Sequence, residues 1–272
     1  MRKHWPAAVV LTLLAAVMLA PFLYMISVSL MSETELLRWP PPLVPHAPTA
    51  ANYLAALEGL PYERVLLNTA VLAGCVMIGQ VLTSAAAGYA FARLRFHGRD
   101  GAFSILVATL VIPAILLVLP RFFLLRGLGW VDTYRGLVST ELVSVAGIFL
   151  MRQAFQTLPR EVEEAARLDG AGEWTLFWRV MLPLAKPAVA TVALLAFIDQ
   201  WRSLLWPLVV TRSAQMEVAE VALAHFHTTY LANWPYLMAA AVLITLPVLL
   251  AGLLAQRYVM QGLRITGAEL RS

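Results

Sequence analysis

Apolar runs of about 20 residues, the length that crosses a bilayer's hydrocarbon core as a helix, recur near 6–31, 66–92, 102–122, 136–155, 184–210 and 236–256. Six such runs within 272 residues leave little chain for a soluble core. Composition agrees: 60% of residues are hydrophobic and 13% charged, against about 25% charged in a soluble domain. The sequence predicts an all-α, polytopic membrane protein with six transmembrane helices. Pro113, Pro120 and Pro247 fall inside these runs, but a membrane helix tolerates proline where neighbours satisfy the freed carbonyls. The first run follows Arg2 and Lys3 without a clear A-x-A site after it. It is also longer than the apolar region of a signal peptide, about 7–15 residues, and so reads as a retained anchor.

Charge placement gives an orientation. Arg2, Lys3, Arg93, Arg95, Arg99, Arg152, Arg160, Arg167, Arg179, Lys186, Arg257, Arg264 and Arg271 fall on the side of the termini, and Arg38, Arg64, Arg121, Arg126, Arg135 and Arg212 on the other. The basic excess puts both termini in the cytoplasm, with Arg121, Arg126 and Arg135 running against the rule. Arg93, Arg95 and Arg99 then anchor the second span at the inner headgroups. The net charge of +4 does not point to nucleic acid, because the cations stand singly between apolar segments without stacking aromatics. The lone Cys75 lies in an apolar run and reads as a packing residue. No metal site is expected: His225 and His227, two apart on a helix, point in different directions. The outer segment with Tyr230, Asn233 and Trp234 reads as an external gate or a contact for a delivery protein.

Between positions 160 and 173 the chain places seven charges. At the centre of a span each would cost about 2.5–3.5 kcal/mol, on the order of 20 kcal/mol together, so this segment lies outside the membrane. Its local signals are helical. Pro159 suits a first turn, Glu161, Glu163 and Glu164 suit the positive end of a helix dipole, and Gly170 suits the position just past the end. A short helix is expected over about 159–169. Trp174, Phe177, Trp178 and Met181 then recur at helical spacing until Pro183, which predicts a second, amphipathic helix. Ala165 and Ala166 beside Glu164 form a smooth surface edged by one carboxylate. Physical reasoning leaves two readings open here, a helix lying on headgroups or a docking face for a partner.

A resemblance separates them. Glu164-Ala165-Ala166, three residues, Gly170, nine residues, Val180, one residue, then Leu182-Pro183 matches the EAA-x3-G-x9-I-x-LP loop of importer-type ABC transporter permeases, with Val for Ile. LLNTAVLAGCVMIGQVLTSAAAGYAFARLRF at 66–96, FLMRQAFQTLPREVEEAARLDGA at 149–171, FIDQWRSLLWPLVV at 197–210 and QRYVMQGLRITGA at 256–268 resemble the carbohydrate-uptake branch of that family, the maltose and glycerol-phosphate type. The resemblance implies a single transmembrane domain over 1–272 whose loop 157–183 couples to a cytoplasmic ATPase subunit. Glu164, Ala165, Ala166, Asp169, Gly170, Leu182 and Pro183 would form the joint. The implied partners are a second homologous permease around which an amphipathic first span wraps, an ATPase homodimer that binds ATP and Mg, an extracytoplasmic solute-binding protein and the bilayer. The implied compartment is a bacterial or archaeal inner membrane. No G-x-x-x-x-G-K-[ST] loop occurs in this chain, so it would bind no cofactor itself and act as a transport subunit, not an enzyme.

In the fifth run, Asp199 and Arg202 are expected midway along a helix on one face, among Gln200, Trp201, Ser203 and Trp206. Ionisable groups at that depth are candidates for function, and aromatic faces with nearby donors suit a sugar ring. Asp199, Gln200, Trp201, Arg202 and Trp206 are therefore the candidate pathway residues. The family pattern usually reads Trp-Asn here, and this chain has Trp201-Arg202. A guanidinium can fork two oxygens of a carboxylate or phosphate, which admits an anionic substrate such as glycerol phosphate beside a neutral sugar. The other reading pairs Arg202 with Asp199 or Glu141 to hold helices together. A self-sufficient ion-coupled carrier, with its coupling site at Asp199 and Arg202, is the rival from another class. An intramembrane hydrolase lacks a paired nucleophile and base.

Overall fold

The structure, a computed structural model, describes residues 5–59, 61–229 and 233–268. The chain forms two compact units, one of Met1–Leu66 with Ala219–Pro247 and one of Leu67–Val218 with Val248–Ser272. The regular secondary structure of the described residues is all helical, with no strand among them.

In the first unit, α1 (Trp5–Ser29), expected to be amphipathic, is instead apolar on every side because its sequence has no charged residue, and none of the most hydrophobic window within it is buried in the chain. A helix without a polar face needs lipid or another chain around it. The short α2 (Glu33–Leu36) is capped by Ser32, and its buried Glu35 accepts from the backbone N–H of His46 at 2.5 Å, pinning the outer loop. The His46 N–H bond, followed by its ring, holds Glu35 below the usual carboxylate range. Asn52 on α3 (Ala51–Gly59) donates to the Ser29 and Met31 carbonyls at 2.9 and 2.8 Å, closing the end of α1. α14 (Ala219–Thr229) and the start of α15 (Trp234–Ala268) pack Phe226, Tyr236 and Ala240 against Ala56. His227 has no described side chain, and Tyr230 lies outside the described residues.

The second unit carries the charged loop. It is built on α4 (Tyr62–Arg93), of which all but the first turn belongs to it. Gly88 on α4 allows close approach to α8 (Val145–Thr157): a Cβ there would stand 2.6 Å from Met151 Cβ and 2.8 Å from the Arg152 nitrogen. Around that contact Ala85, Tyr89, Met151, Phe155, Leu176, Phe177 and Met181 form the core. Cys75, expected to be packed, is instead exposed on α4.

Among the described residues three helices are long and apolar enough to cross a bilayer, Ala8–Ser29, Tyr62–Arg93 and Trp234–Leu254, and two bent pairs, Arg99–Val111 with Ala114–Gly127 and Glu173–Leu184 with Lys186–Trp201, bring the number to at most five if each pair is one span. The difference from six uninterrupted runs lies in three breaks. The third run divides into α5 (Arg99–Ala108) and α6 (Val118–Gly127), linked by 3-10 turns and bent by 95°. Pro113 forces Ile112 into extended backbone, φ −75° and ψ 116°, which ends the first half. The fourth run is α7 (Tyr134–Ser139) and α8, separated by residues 140–144. Side chains of α4 receive the carbonyls this break frees: Gln80 donates to Glu141 O and Thr83 to Leu142 O, at 2.8 and 2.9 Å. The fifth run holds α12 (Lys186–Trp201) and α13 (Leu205–Val210), with Arg202 closing the former. Pro207 gives no N–H to the Ser203 carbonyl four residues before it, which disfavours one helix through both, although α1 and α15 do run through Pro21 and Pro247.

Candidate functional site

The charged loop opens with α9 (Arg160–Leu168), fastened by Arg93, the last residue of α4. Arg93 Nε and Nη2 donate to the Phe155 carbonyl at 3.1 and 2.5 Å, and Nη2 also to Leu158 O at 2.5 Å. These carbonyls lie at the end of α8, where the helix has no donors of its own left. Arg93 Nη1 faces Glu163 at 3.6 Å. Glu163 also takes Arg167, one turn on, at 3.1 Å, and Arg167 reaches over the Gly170 turn to Glu173 at 2.5 Å. Tyr89 donates its hydroxyl to Glu173 at 3.2 Å. The bonds to Glu173 and then Glu163 raise the Arg167 pKa still further, so this bridge keeps its charge.

Gly170 sits at φ +86° in a Schellman turn. Ala171 N–H bonds the Ala166 carbonyl and Gly170 N–H the Arg167 carbonyl, both at 3.0 Å. Asp169 occupies the preceding cap position.

Three of the seven charges, Glu163, Arg167 and Glu173, are thus committed inside the chain. Arg160, Glu161, Glu164 and Asp169 are exposed and form no ion pair among the described residues. Glu161, Glu164, Ala165 and Leu168 lie along one helical stripe, and Leu168 is 89% exposed. Two expectations change. Ala165 and Ala166 do not share a surface, since Ala165 is exposed and Ala166 packs on the core. The expected amphipathic helix is α10 (Glu173–Thr175), a π-helical stretch Leu176–Met181 and α11 (Leu182–Leu184). The wider π turn splits the aromatic face: Phe177 and Met181 are buried, Trp174 and Trp178 exposed. Leu182 packs on the core, and Pro183 sits in the first turn of α11.

The candidate pathway residues also divide. Gln200 is buried, donates weakly to Asp199 at 3.4 Å and leaves its own Oε1 without a partner. Trp201 is buried, its ring 5.3 Å from that of Phe197. Trp206 is buried as well, donating to Leu137 O at 3.2 Å. One face of its ring is covered by the Arg121 guanidinium at 4.1 Å, so that face is closed to a sugar. Asp199 and Arg202 are exposed and form no ion pair with each other. Glu141, expected as a partner for Arg202, is bound by Arg121, which also donates to Thr140 at 2.6 Å. The sequence signal for that pair was two ionisable residues in apolar runs. Arg121, anomalous on the orientation count, is explained by the carboxylate it meets.

Near the N-terminal end of α4, Asn68 is fully buried. It donates to Gln215 O and Glu217 O at 2.8 and 2.7 Å and accepts from Tyr134 at 2.6 Å. Asp132, at φ +61°, accepts the backbone N–H groups of Arg212 and Ser213 at 2.8 and 3.1 Å. Burial pushes the Asp132 pKa up, but the Arg212 and Ser213 bonds outweigh it and hold the carboxyl below its ordinary range.

Comparison with known proteins bears on this arrangement. Residues 80–265 match the model of the family described as "Binding-protein-dependent transport system inner membrane component". The chain is 35% identical over 252 residues, 89% of each chain, to the sn-glycerol-3-phosphate transport system permease protein UgpE of Rhizobium meliloti (strain 1021). It is 33% identical over 269 residues to the arabinooligosaccharides transport system permease protein AraQ of Halalkalibacterium halodurans, covering 97% of this chain and 96% of that one. Among solved structures it matches, with TM-score 0.80 and 26% identity, a chain of a bacterial ABC transporter involved in the import of the acidic polysaccharide alginate. That match covers 95% of this chain and 98% of the other.

Proposed function

The chain belongs to the family of binding-protein-dependent transport system inner membrane components, and from that premise we propose that it forms half of the pathway of an ATP-driven importer for an anionic sugar derivative. Membership in this family sets aside the ion-coupled carrier. The carrying observation is the division of charge in the loop: Glu163, Arg167 and Glu173 brace it from within, while the Glu164 carboxylate stands unpaired beside Ala165 and Leu168. A braced stripe with two free carboxylates, Glu161 and Glu164, suits a cleft in an ATPase subunit that supplies a cation. In this reading closure of the ATP-bound ATPase dimer draws the loop inward, and the spans packed on it turn with it.

Six crossings fit this role. They are α1, α4, the bent pair α5 and α6, the divided α7 and α8, α12 with α13, and α15, with both termini in the cytoplasm and the bilayer that of an inner membrane. A second permease closes the pathway, and the ATPase subunits hold ATP and Mg. An extracytoplasmic binding protein delivers the solute. An anionic solute is supported by Arg202, exposed without a carboxylate in ion-pair range among the described residues, and by the names of two of the three relatives, glycerol phosphate and an acidic polysaccharide, the third naming arabinooligosaccharides.

The test is uptake by the reconstituted transporter. Glu164→Lys should abolish ATP-dependent uptake while leaving the permease folded in the membrane. Arg202→Asn should lower uptake of an anionic sugar more than that of its neutral counterpart. Uptake by this chain alone under a proton gradient would refute the role, and unchanged selectivity in Arg202→Asn would refute the substrate class.

A further inference from the structure

Two clefts flank the start of α9, of about 410 and about 550 Å³, and Arg95, Arg99 and Arg160 line both. The larger is completed by Phe96, Gly98, Gly101 and Asp100, so three guanidinium groups face one carboxylate. Arg99 holds that carboxylate at 3.1 Å. Arg95 and Arg160 are exposed and form no ion pair among the described residues. Two uncommitted cations beside a third recognise an anion with several oxygens, and guanidinium favours phosphate or carboxylate over halide.

The surroundings favour a phosphate carried on a lipid. Phe96 is 45% exposed at the cleft and contacts Phe91, ring centroids 5.9 Å apart, and Phe91 contacts Phe103 at 5.4 Å. This aromatic strip leads from the cleft onto α5, whose Ile105 is 71% exposed. A soluble phosphate has no use for an apolar wall, whereas a phospholipid places its headgroup among the arginines and its glycerol and first methylenes along the rings. Basic pockets beside membrane helices on the cytoplasmic side are known to take anionic headgroups.

We propose that this cleft is a binding site for one anionic phospholipid of the inner leaflet, which bridges the end of α4 to the first turn of α9. Only its inner-leaflet placement rests on the orientation proposed above. The lipid would tie Arg160, on the ATPase-facing helix, to Arg95 and Arg99, at the mouth of two spanning helices. It would therefore stiffen the joint that Arg93 and Arg167 already brace.

The intact transporter, purified in detergent, is titrated with phosphatidylglycerol, phosphatidylcholine or inorganic phosphate, and bound molecules are counted by native mass spectrometry. Phosphatidylglycerol should be retained over phosphatidylcholine. Arg95→Gln with Arg160→Gln should weaken it about 25-fold, from about fivefold per arginine near a membrane surface, while Arg95→Lys with Arg160→Lys should keep most of the binding. Equal retention of the two lipids, or an unaffected Gln variant, overturns the site. Inorganic phosphate binding as well as the lipid assigns the cleft to a free anion and overturns the lipid. So does phosphatidylglycerol that binds only once the ATPase subunits are stripped away, since a protein carboxylate would then be the occupant. The readout does not depend on transport. In a Cys75→Ser background, labelling of Arg95→Cys by an impermeant reagent from outside the cell would overturn the inner-leaflet placement and the proposed orientation, and leave lipid selectivity to be judged by the titration.

Discussion

Gly170 offers a test of whether the loop acts through its shape. The residue holds φ +86°, and a Cβ added there meets nothing within 4 Å. Crowding is therefore excluded as the penalty for alanine, and what remains is the left-handed backbone itself, about 1–2 kcal/mol for an L-residue with a Cβ. That amounts to a factor of about 5–30 against the turn. The cost falls on the Ala171-to-Ala166 and Gly170-to-Arg167 bonds, and through them on the Arg167 bridge to Glu173. Asparagine tolerates this conformation better and should lose less. Hydrogen exchange of the 166–173 amides in the reconstituted complex should rise in the order glycine, asparagine, alanine, with ATP-dependent uptake falling in the same order. Gly170→Arg, which adds bulk on the docking side, should abolish uptake with exchange no faster than in the alanine variant. If alanine and asparagine exchange alike, or if uptake falls with no change in exchange, the backbone argument is refuted.

Removing one member of the Arg121–Glu141 pair should be worse than removing both. Arg121→Met or Glu141→Leu alone should lower complex stability by about 3–5 kcal/mol, and the double variant should recover most of it in a thermal melt. The Asp132 carboxyl, with its lowered folded pKa, stabilises above its unfolded value, about 3.9, and that contribution disappears as pH falls through the folded value. The protection of amides 212 and 213, measured against their intrinsic exchange rates, should therefore fall when the medium is taken below pH 4, and Asp132→Asn should show reduced protection at neutral pH without that acid dependence.

The elements that composition could place are those whose reasons are local. Helices α1, α4 and α15 follow from apolar length, and the Gly170 turn from glycine, dipole and spacing. The breaks at 112–113, 140–144 and 202–204 depend on two kinds of cause. Pro113 and Pro207 are visible in the sequence, and the latter's reach back to Ser203 was there to be read. The gap before α8 is different, because it is tolerated only where Gln80 and Thr83 accept the task of bonding Glu141 and Leu142 carbonyls. That support comes from about 60 residues away along the chain and leaves no mark on local periodicity. The charged loop shows the same limit. Its helix was legible, but Ala166 turning inward and the π stretch through Met181 depend on the Tyr89–Phe155–Phe177 packing beneath them.

Arg121 and Arg202, each in an apolar run, carry the argument about substrate. Each costs about 2.5–3.5 kcal/mol at the centre of a span unless something offsets it. Arg121 is offset within the chain by Glu141, Thr140 and the face of Trp206, and its removal therefore costs stability. Among the described residues Arg202 has no such partner, and it stands where the helix has already ended. Non-helical backbone at membrane depth survives only inside protein or along a water-filled cavity. An exposed guanidinium on such a segment is kept charged by water or by a group that is not part of this chain. The two substitutions thus separate cleanly. Loss at Arg121 should appear as a weaker complex that transports the same solutes, and loss at Arg202 as a stable complex that no longer prefers anions.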